Sequence, residues 1–197
     1  MPRTAASSAP RPSTATRILD VAERLAQTCG FNGFSYADIS AKLGITKASL
    51  HHHFASKAEL GRALILRYSD TFGAALDAID KSGADPAGKL DRYVKLYYDV
   101  LRGERLCLCG MFAAEYSTLP RPMQEQIRRF FDTNEAWLAR VIGQGRRAKI
   151  FHARGSEQEV ARMFLSALEG AMLVARPYDD AERFTCASQH LLAALRA

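Results

Sequence analysis

Between residues 46 and 57 the chain carries Thr46, Lys47, Ser49, His51 and His52, followed by Lys57, and no carboxylate falls among them. Donors at the N-terminal end of a helix suit phosphate oxygens and base edges, because the side chains and the positive end of the helix dipole both favour negative charge. The run of His51, His52 and His53 invites a zinc reading. On a helix, however, consecutive side chains fan out by about 100° and cannot converge on one ion. No metal and no cofactor is expected. The plain alternative to a metal is that His53 packs near the bundle, with His51 and His52 facing solvent or DNA.

Two further sets could do chemistry. Cys107 and Cys109 stand near a helix start, where Arg105 and the helix dipole would lower a thiol pKa and make an electrophile or oxidant sensor. The competing and preferred expectation is that they are buried as small hydrophobes. In the second part of the chain, Tyr97, Met111, Glu115, Tyr116, Asn134 and Trp137 are the candidate ligand-binding side chains. A bundle rich in aromatic bodies with polar tips can hold a cavity that orients an apolar ligand.

Nothing compels an enzyme. GQGRRA at 143–148 has the letters of a dinucleotide fingerprint, but it ends a helical stretch and follows no strand, so it reads as a frayed helix end. There is no nucleophile elbow, HExxH or Walker sequence, and no catalytic residue is nominated.

The elements that must position these residues are helical. Ile18, Ala22, Leu25, Ala26 and Cys29 recur at three- and four-residue steps and stop at Gly30. After FNGF, Ser35 and Asp38 form a capping pattern, and Tyr36, Ile39 and Leu43 give a short second helix ending at Gly44. Thr46 caps a third short helix, KASLHHHF, and Ser56 caps a long fourth one. The helical period then continues over about 57–80, 86–102, 104–117, 121–147, 156–176 and 179–196. The expected fold class is all-α with about nine helices. The parts are a flexible basic arm over 1–13, a three-helix DNA-binding domain over 14–56, and a ligand-binding and dimerisation bundle over 57–197.

From Tyr36 to Phe54 the spacing is that of a helix-turn-helix: Ile39, Ser40, Leu43, the turn at Gly44, then Ile45 and Leu50. The run GFSYADISAKLGITKASLHHHFASKAEL resembles the DNA-binding signature of TetR/AcrR-type transcriptional regulators, over about residues 14–64. The resemblance implies that Thr46, Lys47, His51, His52, His53 and Lys57 contact operator DNA, and that Ser35 or Tyr36 caps the second helix against a phosphate. The family commonly has Tyr where this chain has His51. That difference makes contact there weaker or pH-sensitive, since an unperturbed His has a pKa near 6.5.

Bulk properties agree with such a part. The 197 residues are 48% hydrophobic and 24% charged, enough for one sizeable core. Residues 1–57 hold seven basic against three acidic side chains, and the remainder 20 against 18, so the basic excess lies with the donors. No apolar window is long enough to span a membrane, the N-terminus lacks an apolar signal region, and the four cysteines make a poor disulfide framework. A cytoplasmic location is expected. The last two helices offer Phe164, Leu168, Ala171, Met172, Phe184, Ala187 and Leu191 as a dimer interface. The function expected is a homodimeric repressor on double-stranded palindromic operator DNA, released by a small-molecule effector. The alternatives are a thiol-responsive regulator using Cys107 or Cys109, and an all-α enzyme using the bundle cavity.

Overall fold

The computed structural model describes residues 12–196. Its helices are α1 (Thr14–Cys29), α2 (Tyr36–Leu43), α3 (Lys47–His53), α4 (Lys57–Lys81), α5 (Pro86–Arg102), α6 (Leu108–Ala114), α7 (Arg121–Arg147), α8 (Glu157–Ala175) and α9 (Ala181–Arg196). Short 3-10 turns lie at Tyr116–Thr118 and Arg176–Tyr178, and there is no strand among the described residues. The all-α expectation therefore holds. Of the arm expected over 1–13, residues 1–11 lie outside the described residues.

The helix starts are fixed by side-chain caps that satisfy otherwise orphaned backbone amides, each typically worth about 1 kcal/mol. Ser13 Oγ accepts from Thr16 N, Thr46 Oγ1 from Ser49 N, Ser56 Oγ from Glu59 N, and Ser156 Oγ from Glu159 N. Gly44 takes the left-handed conformation (φ 66°, ψ 34°) that the tight turn between α2 and α3 demands.

One expected helix is not continuous. The helical period over 104–117 is interrupted: Glu104 has φ 58°, α6 begins only at Leu108, and a 3-10 turn follows it. The physical reason is a tether: the Leu106 amide donates to the Gln27 carbonyl at the end of α1, which holds the chain off the helical path. The segment at 143–148 is also not frayed. It stays helical to Arg147, and Gly145 is a packing notch, since a Cβ there would sit 2.0 Å from the Phe151 ring.

Apolar residues of α1, α2 and α3 (Ile18, Ala22, Ala26, Ile39, Leu50) bury fully and continue without a break along α4 through Leu60 and Leu64 into the bundle. At Gly61 the two parts meet so closely that a Cβ would lie 2.6 Å from the Met123 methyl and 2.7 Å from the Phe31 ring. The bundle core is aromatic: Tyr68, Phe72, Tyr93, Tyr97 and Phe130 interlock edge-on or tilted, and Trp137 stacks on Tyr93 at 5.4 Å. Among the described residues no helix is long and apolar enough to cross a membrane.

Asp80, near the end of α4, ties α4 to α5 and α7. Its carboxylate accepts from Lys89 Nζ (2.9 Å), Arg140 Nη2 (2.7 Å) and Trp137 Nε1 (3.1 Å). Partial burial would raise its pKa, but the hydrogen bonds from Arg140, Lys89 and Trp137 outweigh this and bring it down to about 2. The folded state therefore favours the ionised form. Its stabilisation is present above the usual carboxylate range and is lost as pH falls towards about 2. Asp80→Ala should lower stability by about 2 kcal/mol, since it strands three donors. Thermal melts at pH 7 and near pH 2.5 check this: the gap between variant and parent should shrink at the lower pH.

Candidate nucleic-acid interface

The outward residues of the helix-turn-helix are carried on a short, well-capped scaffold. Leu50 buries one side of α3 completely, which leaves Thr46, Lys47, His51, His52 and His53 exposed and Ser49 half-buried. His53 thus faces outward with the other candidate DNA contacts, and the alternative that packs it near the bundle fails: Leu50 and Phe54 take the inward positions. Ser35, Tyr36, Lys47, His51 and Lys57 line one open groove between the start of α2, α3 and the start of α4. Five of the nine residues expected at DNA therefore come together on one surface. No acidic side chain lies in the first turn of α3.

All of these side chains except Lys47 also have a structural task. Ser35 N and Oγ both donate to Asp38 Oδ2 (2.7 and 2.8 Å), which holds that carboxylate below its ordinary pKa. Tyr36 OH donates to the Phe54 carbonyl at 2.8 Å, locking the end of α3 to the start of α2. Burial, and secondarily Glu59, raises the Tyr36 phenol to about 12. The His51 ring lies against Tyr36 at 4.8 Å, with Nδ1 3.2 Å from the Ala55 carbonyl.

Lys57 is turned further inward than a plain phosphate ligand would be. Its Nζ donates to the carbonyls of Phe31 and Phe34 and lies over both rings, 4.6 and 4.4 Å from their centroids. Burial lowers its pKa, opposed by Glu115, Cys29 and Asp38.

Glu115 was expected at a ligand, but the structure places it at the reading head. Its carboxylate accepts from the amides of Phe31 (2.6 Å) and Asn32 (3.2 Å), in the loop between α1 and α2. Around it are other ties that sequence reasoning missed. Leu106 N and Arg176 Nη1 both donate to the Gln27 carbonyl, Arg176 Nη2 donates to the Thr28 carbonyl, and Arg105 Nη1 donates to Gln27 Oε1. The bundle thus grips the last turn of α1 and the loop after it.

The other nominations separate. Tyr97 and Trp137 belong to the filled aromatic core, and Asn134 joins it while also lining an open pocket between α4 and α7: Tyr93 OH donates to Asn134 Oδ1 (3.0 Å), Asn134 Nδ2 to the Phe130 carbonyl (2.8 Å), and Trp137 Nε1 to Asp80. Tyr116 is half-buried, and its carbonyl accepts from Gln124 Nε2. Met111 lines an apolar pocket, of about 220 Å³, between α6, α7 and α8. Phe164, Leu168, Met172 and Phe184, expected at a dimer interface, are buried in this chain's own core. Ala171 and Leu191 are half-buried and Ala187 is exposed. The exposed apolar residues of α8 include Met163 (46%) and Val174 (59%), which lie on a different face of the helix from Phe164, Leu168 and Met172. Cys107 and Cys109 are buried free thiols, and burial first, then the nearby Glu169 carboxylate, pushes both far above the ordinary thiol pKa.

A three-helix reading head gripped by an all-helical bundle defines a DNA-binding transcriptional regulator. Residues 18–64 match the family described as bacterial regulatory proteins, tetR family, and residues 86–191 match the tetracyclin repressor-like C-terminal domain. The chain belongs to the tetR family of transcriptional regulators. It is 32% identical to a TetR-family regulator from Agrobacterium tumefaciens (TM-score 0.89, covering 93% of this chain and 97% of that one). It is also 32% identical to a TetR regulator from Legionella pneumophila (TM-score 0.83, 93% and 98%). The transcriptional regulator AcuR of Cereibacter sphaeroides is 24% identical over 151 residues, 75% of this chain and 69% of that protein.

Two measurements follow from this geometry. Lys57→Met should cost about 1–2 kcal/mol of stability by stranding the Phe31 and Phe34 carbonyls, with faster amide exchange over residues 31–36; unchanged exchange would show that the ammonium is not a strut. Under native alkylation read by mass spectrometry, exposed Cys29 and Cys186 should react while Cys107 and Cys109 resist until unfolding.

Proposed function

We propose that this regulator is a homodimeric repressor that reads a two-fold operator with α3 and is released when a small molecule binds its bundle. The observation that carries the DNA reading is the groove that gathers Ser35, Tyr36, Lys47, His51 and Lys57 beside exposed Thr46, His52 and His53. Lys47 and Thr46, at the leading end of α3, are the base-edge candidates, with Ser49 beside them. Ser35, Tyr36 and the histidines are placed for phosphate contact. Lys57 acts mainly by holding the α1–α2 loop, with any phosphate contact secondary.

In this reading the head spans 14–56 and the bundle 57–197, joined by α4 and by the grip of Glu115, Leu106 and Arg176 on the end of α1. A ligand that displaces α6 pulls on that grip and shifts the population away from the operator spacing. The exposed stripe Met163, Ala167, Gly170 and Val174 on α8, with Ala187 on α9, supports a dimer face. The work is on DNA, in the cytoplasm. A thiol-triggered version has no favouring observation, since both candidate thiols are buried.

The test begins with operator selection from random duplex DNA. The recovered site should be two-fold, with half-sites about 34–36 Å apart or a multiple of that spacing. Lys47→Ala should lose about 1–3 kcal/mol at one base pair per half-site; a uniform loss over all variant operators would reduce Lys47 to a backbone contact. Val174→Asp should shift sedimentation from dimer to monomer, and a variant that stays dimeric would remove α8 from the interface.

A further inference from the structure

The pocket between α6, α7 and α8 contains one polar side chain with an unmet need. Its walls include Leu106, Met111, Phe131, Met172 and Leu173, and Glu169 of α8 points into it. Glu169 Oε1 is buried and has no hydrogen-bond partner. A buried acceptor left unpaired is destabilising, more so when charged, and so is kept only where something else offsets that cost.

The space for this carboxylate is specifically made. Gly110 in α6 faces it, and a Cβ at that position would stand 2.3 Å from Glu169 Oε2. The titratable groups around it are all neutral: Tyr68 from α4, Tyr93 and Tyr97 from α5, and Cys107 and Cys109 at the start of α6. None of the residues lining the pocket is Lys, Arg or His. A carboxyl group with neutral neighbours and apolar walls lacks a countercharge. Accordingly, burial lifts its pKa to about 7, opposed only in part by the nearby Cys107 thiol and Tyr97 hydroxyl.

We propose that Glu169, admitted by the notch at Gly110, is the head-group site for a small organic cation, a protonated amine on an apolar body of about six carbons. The amine supplies both missing elements, an N–H donor for Oε1 and a positive charge for the carboxylate. A carboxylate ligand would instead set two negative charges side by side. The volume of about 220 Å³ limits the body to one small ring or a short chain. This inference deepens the effector-released reading and rests on it for its regulatory consequence. The pocket floor, Leu106 to Ala114, lies between the two ties to the head, Leu106 N to Gln27 and Glu115 to Phe31. An occupant therefore presses on the segment that holds the end of α1.

The experiment is calorimetric titration of the full chain with cyclohexylamine, cyclohexanol and cyclohexanecarboxylate, which share one body and differ in head group. An alkylamine, with a pKa near that of lysine at about 10.4, stays protonated throughout pH 6–8. The amine should bind once per chain and tighten about tenfold from pH 6 to pH 8 as Glu169 ionises. Glu169→Gln should weaken it at least tenfold and flatten the pH response. Gly110→Ala should weaken it similarly while keeping the melting temperature, because alanine favours the helix. No amine binding at millimolar concentration, tighter binding of the carboxylate, or a Glu169→Gln variant equal to the parent each overturns the assignment. These titrations contain no DNA. Amine binding without operator release would therefore count against the effector reading alone, and loss of binding would count against the site alone.

Discussion

Every part of this regulator depends on how the backbone groups at the end of α1 find partners. A helix terminus and the tight loop after it expose amides and carbonyls that cannot be buried unpaired. Here the partners come from far along the chain. Glu115 takes the amides of Phe31 and Asn32, Lys57 the carbonyls of Phe31 and Phe34, and Leu106 with Arg176 the carbonyls of Gln27 and Thr28. The attitude of α2 and α3 is therefore set by the bundle. The same bonds explain why the chain before α6 is not helical and why α6 is only seven residues long.

The bundle divides its polar groups into two kinds. Tyr93, Asn134, Trp137 and Asp80 are mutually satisfied, and their network fixes α4, α5 and α7 as a stiff frame around stacked and edge-on rings. Glu169 is not satisfied, and it stands in the layer between that frame and the segment that grips the head. A complete network resists rearrangement; an incomplete one is open to whatever completes it. The position of the incomplete member, against α6 rather than within the rings, gives it leverage over α1.

What could be read from the letters is what local rules determine. The Ser35–Asp38 cap, the Gly44 turn, the Thr46 and Ser56 caps and the spacing of Ile39 and Leu50 each depend on neighbours within a few residues, and each forms as the pattern implies. The outward face of α3, His53 included, followed from them. The interface and ligand nominations depended on which of several apolar faces turns inward, and periodicity alone does not decide that. On α8 the richest stripe (Phe164, Leu168, Met172) became the core, leaving the plainer Met163, Ala167, Gly170 and Val174 outside. Glu115 looked like a pocket acid because its partners lie more than 80 positions away. Glu169 carried a legible signal: an acid between Leu165, Leu168 and Met172 in an otherwise apolar run.

The close approach at Gly61 bears on the exchange of reading heads between relatives. Because a Cβ there would meet the Met123 methyl and the Phe31 ring at once, residues of the loop after the first helix, of the fourth helix and of the seventh share one volume. A chimera that joins one protein's head to another's bundle at Ser56 would pair a foreign Phe31 with a native Gly61 and Met123. Such grafts should succeed only when all three positions travel together, so the unit that can be exchanged is larger than the head alone.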